Sequence, residues 1–258
     1  MRILTTLTAT RDMALDTTYH HKLRGCIWSA LEGQGFETLH DDTRTSGFVF
    51  SNIFPWRGGE VSEGDECKVM VASPNEELLA TVAAGWLDSE TLNIGEMSFA
   101  VADVNDVYPD VGEPGTRGVL ETATGVLAKH PGTDTYWKES DPLEPFNQYI
   151  EYQLQRQHDV FYPNEAGPYE VDERLFSNHE FIKTYSIPVE VAQGERHTLV
   201  LSKWRFPFMV RDEDHRRHLN LALDTGIGAR NGVGLGYLNI TEGGADRIGY
   251  EDEVGVPA

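Results

Sequence analysis

The sequence predicts an α+β chain in which one β-α-β-β-α-β element order occurs twice. Short strand-like segments alternate with amphipathic helical stretches. The order returns after a proline- and glycine-bearing stretch, and 258 residues are enough for two domains of ordinary size.

Residues 2–8 alternate apolar and polar side chains, with Ile3 and Thr5 on one face and Leu4 and Thr6 on the other, which is the period of a strand. Residues 19–32 carry Leu23, Cys26, Ile27, Ala30 and Leu31 at helical spacing, and Gly33 and Gly35 end that helix. Phe48 to Phe54 reads as a strand stopped by Pro55, and Lys68 to Ala72 as a second one beyond the turn at Gly58-Gly59. Pro74-Asn75-Glu76-Glu77 opens a helix through about Leu87, with proline and acids at its positive end. Phe99 to Val104 completes the first set. In the second set Val119 to Leu127 is a strand, and Phe146 to Gln157 is a helix with Ile150 and Leu154 four apart. Ile182 to Val191 and Thr198 to Val210 are strands, Asp212 to Asp224 is a helix with acids in its first turn, and Val233 to Ile240 is the last strand. This is the ferredoxin-like (RRM-like) pattern in tandem. The expected domains are 1–107 and 118–241. A linker at 108–117 holds Pro109, Gly112, Pro114 and Gly115, and a mobile acidic tail is expected at 242–258.

Hydrophobic residues make up 40% of the chain, which supports a packed core and argues against global disorder. Apolar runs such as Leu199-Val200-Leu201 fall far short of the ~18 residues a membrane span needs. The N-terminus lacks the apolar stretch of a signal peptide, so the expected location is cytoplasmic, with no membrane partner. Cys26 and Cys67 give no disulfide framework and no metal spacing and are expected as small buried residues; no metal or other cofactor is implied.

Acids outnumber bases 42 to 21, a net charge of −21, and the bases are 15 Arg to 6 Lys. Spread over the whole chain, this is the composition of a halophile's cytosolic protein. At molar salt the Debye length is about 3 Å, so neighbouring carboxylates hardly repel. Acidity normally argues against a nucleic-acid partner, but at molar salt the gain from counterion release nearly vanishes. A binder of RNA there relies on stacking, hydrogen bonds and a few arginines, so the net charge does not exclude it.

The most specific feature is Gly226-Ile227-Gly228-Ala229-Arg230-Asn231-Gly232-Val233-Gly234-Leu235-Gly236. It is not a dinucleotide loop: Asn231 stands where the third glycine of G-x-G-x-x-G belongs, and the segment follows a helix and precedes a strand. It is not a P-loop, since no Gly-Lys-Ser/Thr occurs. Glycines without Cβ obstruction beside Arg230 predict an exposed backbone cradle for phosphodiester oxygens. Gly234 and Gly236 predict the close approach of a second backbone.

A G-h-G-x-x-x-x-x-G-h-G segment with a basic residue among the five resembles the hallmark of the RAMP superfamily of CRISPR-associated proteins. Within it, the chain resembles the endoribonucleases that process CRISPR repeat RNA. Tyr19-His20-His21-Lys22-Leu23-Arg24-Gly25-Cys26-Ile27-Trp28 carries that finer resemblance, as do Leu39-His40 and Phe48-Val49-Phe50-Ser51. The family often has tyrosine where Trp28 stands, and a lysine commonly precedes the Phe-x-Phe-Ser stretch where Ser46 and Gly47 stand here.

RNA carries its own nucleophile, the 2'-hydroxyl. A base that takes its proton lets it attack the adjacent phosphate, an acid protonates the departing 5'-oxygen, and a cation stabilises the added charge. Histidine suits the proton transfers. Residue types alone do not choose among the nine histidines. The resemblance selects His40, placed in the loop after the first helix, with Arg44 as the nearest cation for charge stabilisation.

Arg216 and Arg217, flanked by His215 and His218, form a basic island read as a phosphate contact; the competing reading is a helix face paired with Asp212, Glu213 and Asp214. Trp204, Phe206 and Phe208 are read as core in preference to a base-stacking face. The resemblance thus implies a metal-independent endoribonuclease whose partners are precursor and product repeat RNA and other subunits of an interference complex, with no DNA contact by this chain. RNA contact is assigned to Arg216, Arg217, Gly226, Gly228, Arg230, Gly232, Gly234 and Gly236. The alternative is a RAMP subunit that holds guide RNA without cutting. A weaker third reading, a module for a small anion or nucleotide, is disfavoured by the full match of the glycine segment.

Overall fold

The computed structural model describes residues 1–41, 45–55, 59–130, 132–133, 135–163, 174–176, 178–191 and 195–244. The side chains of residues 40, 41, 190, 191 and 195–197 lie outside that description. So does the expected tail beyond residue 244.

The first half is built on β1 (Arg2–Ala9), α1 (His20–Leu31), β3 (Val49–Phe50), β5 (Glu66–Ala72), α3 (Glu76–Leu87) and β7 (Met97–Val107). Added to these are β2 (Met13–Ala14) paired with β4 (Glu60–Val61), the short helix α2 (Glu37–Asp41), and β6 (Leu92–Ile94). Its sheet runs β3-β5-β1-β7-β6, every neighbour antiparallel. The second half uses β8 (Arg117–Thr122), α4 (Leu143–Phe161), β9 (Glu180–Val191), β10 (Glu195–Met209), α5 (Glu213–Thr225) and β11 (Leu238–Gly243) in the order β11-β8-β10-β9. Counting only the four strands of each β-α-β-β-α-β unit, both sheets have the order 4-1-3-2 of a ferredoxin-like fold.

The alternation in β1 is what joins the halves. Ile3 and Leu7 enter the core under α1 and α3, while Leu4 on the opposite face packs with Val49, Met70 and Tyr237, the last from the second half. Arg2 is buried there, donating to the carbonyls of Leu223 and Leu238 and to Asn239 Oδ1, with its guanidinium 4.6 Å from the Tyr237 ring centroid. The N-terminal amine meets Asp224 at 2.7 Å. The second core contains Trp204, Phe206 and Phe208, all buried, against Phe146, Ile150 and Leu219. The core reading of that aromatic run therefore stands.

Several boundaries differ from expectation. The strand expected over Phe48 to Phe54 pairs only at Val49–Phe50. Beyond it the Ser51 amide still donates to the Met70 carbonyl, but the amide of Met70 goes to Ser51 Oγ and that of Ile53 to Tyr19 Oη, before an isolated bridge at Phe54. The last strand starts at Leu238, not Val233, because Gly234 and Gly236 have φ of +78° and +74°, and residues Asn231–Val233 form a 3-10 turn. His40 stands on α2 and not in a loop. Cys67 is buried and Cys26 is half-buried, its thiol 3.2 Å from the carbonyl of Asn93. Among the described residues no helix is long and apolar enough to cross a membrane.

Candidate active site

The glycine segment is packed inside the molecule, which corrects the expectation of an exposed cradle. Gly226, Gly228, Gly232, Gly234 and Gly236 are buried, and in this segment only Arg230 is exposed. Six of the segment's amides have backbone partners: those of Gly226, Ile227, Ala229, Val233, Gly234 and Gly236 donate to carbonyls of Ala222, Gly236, Leu127, Arg230, Asn231 and Gly125. Asn231 ties the loop across its middle. Its Nδ2 donates to the carbonyls of Ile227 (3.1 Å) and Leu235 (2.9 Å), and its Oδ1 accepts from Gln157 of α4 at 3.1 Å. Gln157 in turn accepts from Thr225 Oγ1. The asparagine that spoils a dinucleotide motif is thus the clamp of this one.

The missing side chains let the two halves touch. A Cβ on Gly232 would overlap Ser46, one on Gly234 would overlap the Phe50 ring, and one on Gly226 would stand 3.1 Å from Val49. All three neighbours belong to the stretch between α2 and the end of β3. The close approach of a second backbone expected at Gly234 and Gly236 occurs at Gly236 only, where a Cβ would overlap the Ile227 carbonyl of the same segment; at Gly234 the neighbour is the Phe50 side chain of the other half.

That contact places α1, α2 and the glycine segment together. Helix α2 is anchored by buried Phe36 and by Leu39, whose Cδ1 lies 3.4 Å from the point where a Cβ on Gly47 would be. His40 rides on this helix; its side chain and all of Arg44 lie outside the described residues. On α1, His20, Arg24 and Trp28 are four residues apart and so share one helical stripe. Trp28 packs on Phe48 at 5.4 Å between centroids. His20 Nε2 is 3.2 Å from Asn52 Oδ1, its ring stacks on Tyr19, and burial, with His21 adding, holds its pKa below the ordinary value against the opposing bond to Asn52.

Arg24 is the residue that sequence reasoning missed. It is half-buried, 3.9 Å (at Nε) from the position a Cβ on Gly232 would take, and its Nε is buried without a hydrogen-bond partner. Burial alone lowers its pKa, with no carboxylate opposing it. A half-buried guanidinium without an ion pair among the described residues, in a chain of net charge −21, is a ready site for an anion. The only sequence signal was its place in the His20–Trp28 stripe.

Arg216 and Arg217, expected as a phosphate contact, are paired with carboxylates, and the pairs with Glu213 and Asp214 are those of the competing reading. Arg216 makes a two-pronged contact with Asp110 (2.5 and 3.2 Å) and also meets Glu113 and Glu213, while Arg217 meets Asp214 at 2.9 Å. The pairs of Arg216 with Asp110 and Glu113 tie α5 to the segment between β7 and β8, while those with Glu213 and Asp214 stay within α5. His215 and His218 are buried, not basic surface. Among the described residues no three His, Cys, Asp or Glu side chains gather as a metal site.

Tandem ferredoxin-like halves that meet at a C-terminal glycine segment define the architecture of this chain. The family model described as CRISPR associated protein Cas6, C-terminal, matches residues 113–240. The CRISPR-associated endoribonuclease Cas6 of Haloferax mediterranei is 48% identical over 257 residues, covering 94% of each chain. The chain belongs to the Cas6 family. Two solved structures share the fold: one titled "An RAMP protein binding different RNA substrates", with TM-score 0.70, 20% identity and coverage of 93% of this chain and 99% of that one, and one titled "CRISPR associated protein Cas6", with TM-score 0.68, 16% identity and coverage of 94% and 99%. The acidic composition fits a haloarchaeal relative.

Proposed function

We propose that this chain is an endoribonuclease that cuts CRISPR repeat RNA into guide RNAs at the junction of α1, α2 and the glycine segment. The observation that carries the reading is Arg24, a half-buried guanidinium beside the glycine segment whose Nε has no hydrogen-bond partner among the described residues. The family membership and the 48% identity to an endoribonuclease support it.

In this reading His40 exchanges the proton of the 2'-hydroxyl or of the departing 5'-oxygen. The 2'-oxygen forms a bond to phosphorus as the bond to the 5'-oxygen breaks, leaving a 2',3'-cyclic phosphate and a 5'-hydroxyl. Arg24 neutralises the charge that gathers on the phosphoryl oxygens, a role for which a desolvated guanidinium is suited. Arg44, on the far side of α2 in sequence, is a second candidate for it. Arg230 is exposed and has a left-handed backbone (φ 60°, ψ 37°), a conformation that a non-glycine residue adopts only when its surroundings enforce it. We assign it to the RNA backbone. The reaction needs no metal ion, and the working compartment is the cytoplasm. Residues 1–107 then carry the histidine, residues 118–241 the glycine segment, and 108–117 the connection.

A repeat RNA with one 2'-deoxy substitution at the scissile nucleotide tests the chemistry. It should bind and resist cutting, while the all-ribo RNA gives a 3'-end that accepts no tail until the cyclic phosphate is removed. Cutting of the deoxy substrate would rule out attack by the 2'-hydroxyl. Tight binding of both RNAs with no cutting would make the chain a holding subunit.

A further inference from the structure

A second RNA-facing feature lies away from this junction. The 129–136 loop and the outer side of α4 enclose an open cavity of about 650 Å³ lined by Lys129, His130, Gln148, Tyr149 and Tyr152. Among the described residues that line it none is an acid, in a chain where acids outnumber bases 42 to 21. Tyr152 is 58% exposed, and the Arg156 guanidinium sits 5.6 Å from its ring centroid, one helical turn on. Lys129 Nζ is 5.7 Å from the centroid of Tyr136. Burial raises the Tyr149 hydroxyl above its ordinary pKa, with Tyr136 and Tyr152 adding and Arg156 opposing.

The loop is held in shape. The amide of His130 donates to Thr135, Thr133 and Thr135 share a hydroxyl contact of 2.7 Å, and the His130 ring meets Asp141 at 2.9 Å. It is also continuous with the glycine segment. Ala229 donates to Leu127 just before the loop, Tyr136 packs against the cluster of Leu127 and Leu235 as Ala229 and Val233 do, and Gln157, next to Arg156, holds Asn231.

We propose that this cavity is a stacking subsite for unpaired nucleotides of the RNA that flank the cut, with Tyr152 and Tyr149 taking base faces and Lys129 and Arg156 the backbone. Aromatic rings beside cations are the chemistry that grips single-stranded RNA without reading its sequence. Stacking survives molar salt, where phosphate contacts alone lose most of their affinity. The subsite rests on the endoribonuclease reading.

The test uses the full chain and its Tyr152→Ala and Tyr152→Phe variants, titrated in molar KCl with repeat RNA that carries its single-stranded flanks. Tyr152→Ala should bind roughly tenfold to a hundredfold more weakly. Tyr152→Phe should bind like the wild type, and all three should cut alike at saturating RNA. A 4-thiouridine placed in the flanks should crosslink to Tyr149 or Tyr152. A wild type that binds and cuts while Tyr152→Ala matches it, with crosslinks only elsewhere, overturns the subsite alone and leaves these rings to a protein contact. A wild type that neither binds nor cuts overturns the endoribonuclease reading and the subsite with it.

Discussion

Gly234 lies against the ring of Phe50 with no room between them for a methyl group. Through that contact the glycine segment of the second half is seated on β3 of the first, and the position also has a φ of +78°. Gly234→Ala should therefore destabilise the chain by about 2–4 kcal/mol, the sum of a left-handed backbone and an overpacked contact. Gly33→Ala has a similar φ of +70° but open space around it, and should cost only about 1–2 kcal/mol. Thermal unfolding of both variants checks this; equal losses would mean that the contact with Phe50 is not tight.

Arg24→Ala should fold as the wild type does, because the side chain makes no hydrogen bond or ion pair among the described residues. Its cutting rate at saturating RNA should fall by about 10²–10³ if it meets the charge that develops on phosphate. Arg24→Lys should recover only part, since an ammonium cannot offer the planar fork. Single-turnover cutting by both variants is the check, and an unchanged rate would leave Arg24 without a catalytic role.

Arg216→Ala should leave RNA affinity untouched. Its guanidinium is occupied by Asp110, Glu113 and Glu213. The half-exposed pairs contribute about 1 kcal/mol at most, less in molar salt. A drop in affinity that is not matched by unfolding would assign Arg216 to a phosphate contact after all.

Stability should fall on acidification well before the carboxylates titrate. Burial, with Arg174 adding, lowers the pKa of His179 from 6.5 to about 4, and burial also lowers those of His20, His215 and His218. Between those values the unfolded chain binds more protons than the folded one, so stability is full above pH 6.5 and is lost as the pH falls through about 4. Melting temperatures in molar KCl should follow that window, and His179→Gln should flatten it. A melting temperature that holds or rises from pH 6.5 to 4 would contradict the burial of these imidazoles.

The fold was legible where local pattern and tertiary need agree. In β1 the alternation of Ile3, Leu4 and Leu7 survives because both faces are buried, and α3 begins where Asn75 caps it. Helix α2 was not legible, since five residues with one apolar side chain show no period. Val233, Leu235 and Tyr237 alternate like a strand, but the glycines between them take positive φ, which alternation cannot register. At the site, the glycine segment announced a close approach without naming its partner, because Ser46 and Phe50 are remote in sequence. Arg216 read as a phosphate contact for the same reason: Asp110, which neutralises it, lies 106 residues away. Arg24 was hidden among ordinary surface arginines, and only its lack of a partner in the folded chain marks it out.

The most direct test is the cutting of end-labelled CRISPR repeat RNA in molar KCl with EDTA, by the wild type and by His40→Ala. A single cut that persists in EDTA and disappears in His40→Ala, with RNA still bound, is the result expected of a histidine-dependent, metal-independent ribonuclease. Cutting that stops in EDTA, or that His40→Ala performs as well as the wild type, would contradict it.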